Sequence, residues 1–288
     1  FTQVAANTGT MRFSAYNSTT DGAGAYAYYP GATGANDVAG DVNLNNDSVS
    51  TTSIPTGSYS FFAILHEIGH AMGLSHPGDY NAAPGVDITY ANSAQFIEDS
   101  HQYTVMSYFD ESNTTATYNS YPDTLLMYDI LAIQQLYGVN YNTRSGNSVY
   151  GFNANTGAVY DFTQNTDPVF CIWDGAGTDT IAGSLYSMAQ RINLNAATFS
   201  SIGGFSGNIS IAIGAIIENA IGGSGNDTLI GNNVANTLTG NNGNDTLEGR
   251  GGVDTLNGGA GNDTYVLAGD NDTVIDSAGT DTITSTIT

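Results

Sequence analysis

Apolar residues recur along this chain in three rhythms, and the changes of rhythm mark its organisation. Before residue 60 the runs are short and alternate with polar residues. Met11–Tyr16, Gly24–Tyr29 and Asp41–Asn45 each read as a strand. Two later stretches carry apolar residues at helical spacing. One covers residues 60–73, entered through Phe61, Phe62, Ala63, Ile64 and Leu65; the other is Leu125–Tyr137, which stops at Gly138. Between them, residues 77–100 are rich in loop formers, and Tyr103–Tyr108 reads as a buried strand and turn. From residue 139 the helical rhythm ends. Val149–Phe152, Pro168–Trp173, Arg191–Leu194 and Asn208–Ile213 read as short strands.

From Gly222 the period becomes nine. The blocks GGSGNDTLI, GNNVANTLT, GNNGNDTLE, GRGGVDTLN and GGAGNDTYV start at Gly222, Gly231, Gly240, Gly249 and Gly258. Their sixth positions are Asp227, Asn236, Asp245, Asp254 and Asp263; their eighth are Leu229, Leu238, Leu247, Leu256 and Tyr265. The phase persists through Asp272/Val274 and Asp281/Ile283. A flexible linker would not hold Asp and Leu in register over five blocks. Six turn residues followed by three strand residues predict a parallel β-roll. Successive turns alternate sides, so turns 18 residues apart stack on one edge, and the eighth positions face inwards. Backbone carbonyls and carboxylates of stacked turns then offer oxygen to a hard cation, as calcium prefers. The expected ligands are Gly223, Gly225 and Asp227; Gly240, Asn242 and Asp245; Gly249, Gly251 and Asp254; and Gly258, Ala260 and Asp263. Asp227 is expected to pair with Asp245, and Asp245 with Asp263. Asn236 pairs with Asp254, at a place one charge poorer.

Composition sharpens this picture. A length of 288 residues suits two domains. Acidic residues outnumber basic ones 27 to 4, for a net charge of −23, and the only basic side chains apart from histidine are Arg12, Arg144, Arg191 and Arg250. That balance argues against nucleic acid or an anionic membrane as partner and suits carboxylates neutralised by divalent cations. The single cysteine, Cys171, lies in an apolar run and reads as a buried small hydrophobe, so no intrachain disulfide can form. No stretch reads as a signal peptide or a membrane-spanning helix.

The densest chemistry lies at residues 66–77, HEIGHAMGLSHP. His66 and His70 are four apart and share one helix face, a spacing that can hold one zinc ion. Gly73 lets the chain leave the helix at φ > 0 and swing His76 towards the same metal. A catalytic zinc takes three protein ligands and keeps one position open for water. Glu67 adjoins the first ligand and is placed to take a proton from that water. Three of the chain's four histidines fall in this one motif.

Together, HEIGHAMGLSH, the turn YTVMSY, the helix DILAIQQLYG and the nine-residue repeats resemble the serralysin-type secreted zinc metalloproteases of the metzincin clan, which carry RTX calcium-binding repeats. The resemblance runs nearly end to end. It implies an α+β metzincin-like catalytic domain, with a mixed twisted sheet plus helices, over residues 1–140. A calcium-binding β-sandwich and β-roll domain would follow over 141–288, with repeats at about 222–266. It implies Met106 as the structural methionine of a Met-turn and Tyr108 as a fourth zinc ligand that swings off to aid catalysis. It implies Gly24, Ala25, Tyr26, Ala27 and Tyr28 as the edge strand that pairs with substrate backbone. Further calcium ligands match the family's motifs at Arg144, Gly146 and Ser148, at Asp174, Ala176, Gly177 and Asp179, and at Ile216 and Glu218. Ala176 and Ile216 replace family residues at places where a backbone carbonyl can serve. Only 65 residues precede His66, and the tail after Val266 lacks the family's C-terminal strands and export signal. A fragment of a longer protein is therefore expected.

The expected function is secreted, zinc-dependent endopeptidase action on extracellular proteins, with one catalytic zinc and several structural calcium ions. The calcium-stabilised roll would serve folding and export. The resemblance also implies a bacterial source with type I-like export, a monomer, protein or peptide substrates, and a proteinaceous inhibitor as a further partner. The alternative is a non-catalytic calcium-binding structural or adhesive fragment with an impaired protease domain.

Overall fold

The computed structural model describes residues 11–20, 22–32, 38–83, 85–118, 120–268 and 271–285. It divides into two compact units, one of residues 1–114 with 119–138 and one of residues 139–288 with 115–118. The first unit holds strands β1 (Phe13–Tyr16), β2 (Ala25–Ala27) and β3 (Val42–Asn45) and helices α1 (Tyr59–Ala71), α2 (Tyr90–Ser93) and α3 (Met127–Tyr137). The sheet runs β1-β3-β2, parallel between β1 and β3 and antiparallel between β3 and β2. Val42 and Leu44 alternate onto the face that meets α1, where they bury with Val49, Ala63 and Ala71. β2 lies at one edge of this sheet. Tyr28 exchanges backbone bonds with Asp41 and Gly40, and Gly24 accepts from Asn45. Antiparallel alternation therefore points the peptide groups of Ala25 and Ala27 outwards, along the edge away from β3.

α1 has a clear beginning and end. The Ser58 hydroxyl caps it by accepting from the Phe61 amide. At the other end the Leu74 amide donates to Gly69 and the Gly73 amide to His70, with Gly73 at φ 97°. These two bonds form a Schellman stop, which needs a left-handed residue that only glycine supplies without strain.

The second unit is built from short strands: β4 (Val149–Gly151), β5 (Phe170–Ile172), β6 (Thr180–Ala182), β7 (Arg191–Asn193), β8 (Phe199–Ser200), β9 (Ile209–Ile211), β10 (Asn219–Ile221), β11 (Thr228–Ile230), β12 (Thr237–Asn242), β13 (Thr246–Glu248), β14 (Thr255–Ala260), β15 (Thr264–Leu267), β16 (Thr273–Ile275) and β17 (Thr282–Ser285). Two parallel sheets face each other, β16-β14-β12-β10-β6-β4 and β17-β15-β13-β11-β7, and β5-β9-β8 forms a third. The register offset within the roll is 18 residues, as in Leu229↔Leu247 and Leu238↔Leu256. Leu229, Leu238, Leu247 and Leu256 are all 0% exposed, so each contributes about 1.5–3 kcal/mol of burial.

Two expectations need correction. The division into six turn and three strand residues fails for β12 and β14, which run six residues each. Pairing there continues through Asn241↔Gly259 and Asn242↔Ala260, so part of the turn is recruited into the ladder. Tyr103–Tyr108 forms turns and no strand. The Asp129 carboxylate accepts from the Thr104 hydroxyl at 2.5 Å and from the Val105 amide at 2.8 Å, and so takes the place of a neighbouring strand. Residues 115–118 fold with the second unit, where Thr117 bridges to Ser206.

Candidate metal centre

The first unit brings His66, His70 and His76 together, each offering a ring nitrogen within 4.8 Å of the others. Helix periodicity supplies the first two, and the stop at Gly73 returns the third. Each Nδ1 sits against a backbone carbonyl: His66 on Val105 at 2.7 Å, His70 on Leu74 at 2.8 Å, His76 on Tyr80 at 2.8 Å. A carbonyl only accepts, so each Nδ1 carries the hydrogen and each Nε2 presents a lone pair. The Nε2 atom of His76 lies 3.2 Å from that of His66 and 3.0 Å from that of His70. Burial drives the His66 pKa down to about 3 and the His70 pKa to about 4, and lowers that of His76, so protons do not hold these lone pairs apart at neutral pH. A cation does. Tetrahedral zinc with nitrogen at about 2.05 Å sets its ligands about 3.3 Å apart, close to the spacing found, so the donor set fits zinc.

The surroundings suit catalysis as well as binding. Glu67 is buried, burial pushes its pKa up to about 8, and its Oε2 has no hydrogen-bond partner. Met106 is buried beneath the helix against Gly69. The Tyr108 ring lies 4.5 Å from the His76 ring and 5.7 Å from that of His66. Burial raises its phenol pKa, and the Ala82 amide pulls the other way.

Four residues at this centre escaped the sequence reading. Tyr80 stacks on His76 at 5.3 Å and 11°, and its hydroxyl donates to Asp99 at 2.9 Å. Asp99 also accepts from Ser107 at 2.7 Å, which ties the loop of Tyr80 to the turn of Met106. Asp129 holds Val105, whose carbonyl in turn orients His66. Tyr29 sets its ring edge-on to His70 at 5.5 Å. The available signal was the tyrosine four residues after His76 and the acids flanking the YTVMSY turn. The bonds of Tyr80 to Asp99 and of Thr104 to Asp129 span 19 and 25 residues, beyond the reach of any local rhythm.

In the second unit Asp174, Asp179 and Glu218 converge. Ser148 donates its amide to Asp179 at 2.7 Å and its hydroxyl to the Gly146 carbonyl at 3.2 Å; the Asp179 amide donates to Glu218 at 2.7 Å. A β-carbon at Gly177 would stand 2.6 Å from the Gly146 oxygen and 2.8 Å from Asp179 Oδ1, which explains the glycine. The Ala176 amide points to Asp174 at 3.3 Å. Burial raises the Asp179 pKa to about 7, helped by Asp174 and Glu218. The Arg144 side chain is engaged elsewhere, on the Trp173 carbonyl and the Tyr160 hydroxyl, and Ile216 is exposed. Neither side chain joins the cluster.

Along the roll the predicted pairs stack. The Asp227 amide donates to Asp245 Oδ1, that of Asp245 to Asp263 Oδ1, and that of Asn236 to Asp254 Oδ1. The second oxygen then divides the sites. Asp227 Oδ2 accepts from the Gly223 amide, and Asn236 Oδ1 from Asn232. Oδ2 of Asp245, of Asp254 and of Asp263 is buried without a donor. Each turns towards its block's leading glycine, Gly240, Gly249 or Gly258, where a β-carbon would collide with it. Gly225 and Gly251 pack against the preceding coil at Met188 and Asn233. Orphaned buried carboxylate oxygen fits a hard cation.

Among curated relatives, Serralysin B of Dickeya chrysanthemi is 47% identical over 238 residues, covering 80% of this chain and 49% of the relative. The metallopeptidase AprA of Pseudomonas marginalis is 48% identical over 229 residues, covering 77% and 47%. Serralysin C of Dickeya chrysanthemi reaches 50% over 213 residues, covering 72% and 43%. The chain spans about half the length of the curated relatives it matches. The model of the peptidase M10 serralysin C-terminal family matches residues 139–287, half of the chain, and the chain belongs to that serralysin family.

Proposed function

We propose that the chain is the zinc-dependent endopeptidase portion of a secreted serralysin-type protein, joined to a calcium-stabilised β-roll. The observation that carries this reading is the convergence of three Nε2 lone pairs, each fixed by a carbonyl at Nδ1, beside a buried carboxyl oxygen without a partner. His66, His70 and His76 would hold zinc, with Tyr108 at the fourth position. Zinc held there supplies Lewis acidity towards a water and a scissile carbonyl.

The chain's own residues supply the rest. Glu67, whose raised pKa suits proton exchange near neutrality, takes the proton of the attacking water and returns it to the leaving amine. The Tyr108 phenol donates to the developing oxyanion. Ala25 and Ala27 offer backbone groups on the free edge of β2, where an extended peptide adds as a further strand. Met106 packs under α1 and holds the floor of the histidine cluster. The roll folds outside the cell, where calcium is plentiful. Among the described residues no helix is long and apolar enough to cross a membrane.

The test is digestion of casein with and without a zinc chelator, beside metal analysis of the purified chain. Zinc near one per chain with chelator-sensitive cleavage is expected. Calcium without zinc, and no cleavage, would leave the non-catalytic calcium-binding module as the better reading.

A further inference from the structure

The three histidines are not equally supported. His66 and His70 stand on α1, whereas His76 follows the Gly73 stop in a stretch without regular structure. His66 and His70 are buried, and His76 is half-buried. Tyr80 supplies much of what holds His76. It gives its carbonyl to His76 Nδ1 at 2.8 Å and lays its ring along the imidazole, 5.3 Å away and 11° from parallel. The carbonyl sets the rotation of the imidazole, and the ring blocks its tilt.

The same ring meets Tyr108 at 5.1 Å and Phe109 at 5.0 Å. Its hydroxyl donates to Asp99 Oδ1 at 2.9 Å, and the Ser107 hydroxyl donates to the same oxygen at 2.7 Å. Tyr80, Asp99 and Ser107 are all buried, so water does not compete for these bonds. Ser107 Oγ in turn accepts the Phe109 amide at 3.0 Å. The Ser107 carbonyl is held at 3.1 Å by the fourth histidine, His101; a carbonyl only accepts, so His101 Nε2 carries the hydrogen. The residues on both sides of Tyr108 are thus pinned, while Tyr108 itself stays exposed.

We propose that Tyr80 is a positioning residue that fixes His76 and the backbone of Tyr108 as one unit. Its ring serves the metal ligand, and its hydroxyl, through Asp99, serves the turn that carries Tyr108. The inference rests on the proposed zinc centre. A histidine outside a helix has most to gain from such support, and a partner that orients a metal-bound histidine is worth about 10–100-fold in affinity or activity.

The experiment separates the two duties. Tyr80→Phe keeps the ring and the carbonyl but cuts the bond to Asp99. It should keep its zinc, release it to a chelator at close to the parent rate, and lower kcat about tenfold with KM within about twofold. Tyr80→Leu also removes the stacked ring and should release zinc about tenfold faster than the parent. Asp99→Ala should lower kcat as Tyr80→Phe does, and the double variant should be no worse than either, since both cut one link. Asp99→Asn should recover most of that loss, because it keeps Oδ1 as acceptor and changes only Oδ2, which has no partner. Amide exchange of the zinc-free chain gives a readout without turnover: residues 104–109 should exchange faster in Tyr80→Phe and as in the parent in Asp99→Asn. Unchanged kcat and exchange in Tyr80→Phe overturn the inference, and so does additivity of Tyr80→Phe with Asp99→Ala. If Tyr80→Leu does not fold, Tyr80→Phe and Asp99→Asn still decide. A parent chain that takes up no zinc overturns the reading of the centre itself, a separate failure.

Discussion

Gly69 gives the sharpest test of how the metal centre is supported. It lies inside α1, where replacing glycine by alanine would ordinarily stabilise by about 1 kcal/mol. Here the sign should reverse. A β-carbon at Gly69 would fall on Met106 Sδ, with Met106 Cε at 3.5 Å and Leu74 Cδ1 at 3.6 Å closing the other ways out. Met106 is only 2% exposed and has little room to retreat. Overpacking of this kind costs about 1–3 kcal/mol, so Gly69→Ala should lose roughly 1 kcal/mol net, or about 4 °C in melting temperature. The assay is thermal melting followed at 222 nm, since α1 and α3 belong to the first unit and that signal reports on it. Zinc affinity should fall too, because pushing Met106 moves the neighbouring Val105 carbonyl that orients His66. Met106→Ala added to Gly69→Ala removes the collision, and the cycle should show a favourable coupling of about 1–3 kcal/mol. A Gly69→Ala chain that melts higher than the parent, or a cycle that is additive, would refute the argument.

Three further outcomes follow from the same geometry. Glu67→Ala should keep zinc and lose at least about 10²-fold in kcat, read by metal analysis beside an activity assay; loss of zinc would mean that the carboxylate supports the metal instead. Tyr108→Phe should lower kcat far more than it raises KM, as a group acting only in the transition state must, whereas a rise in KM alone would make it a substrate-binding residue. Calcium removal from the full chain should unfold the roll, because residues 222–288 hold eight aspartates, one glutamate and one arginine. A core of one Leu or Tyr per nine residues does not offset ordering costs of about 1–2 kcal/mol per residue. The poorest calcium place should be the one shared by Asn236 and Asp254. Circular dichroism in excess chelator is the check, and persistence of the strand signal would count against it.

Much of this fold was legible because it is written in local rhythms. The nine-residue phase predicts the offset of 18, the stacked acids and the inward leucines, and all three are found. The spacing of His66, His70 and Gly73 predicts a shared face and a sharp exit, and α1 ends in that way. What escaped depends on side chains that replace backbone partners. Tyr103–Tyr108 has the composition of a buried strand, but its hydrogen bonds go to Asp129, 24 residues on in the case of Val105. The extra length of β12 and β14 escaped for a related reason. Asn241 and Asn242 are turn formers by type and join the ladder only because Gly259 and Ala260 lie opposite.

The carboxylate ladder of the roll has a direction. In every case the amide belongs to the earlier residue and the accepting carboxylate to the later one: Gln190 to Asp227, Asp227 to Asp245, Asp245 to Asp263, Asp263 to Asp281, and on the other edge Asn236 to Asp254 to Asp272. The carboxylates therefore hold each coil from the one that follows, while amides such as Thr246 on Asp227 O and Asn244 on Asn226 Oδ1 hold it from the one before. Trimming the roll from its beginning frees carboxylate oxygen for cations or water, and also takes the acceptor from amides such as that of Thr246 on Asp227 O. Trimming from its end strips the acceptor from a buried amide one coil back, which costs about 1–3 kcal/mol for each amide left bare.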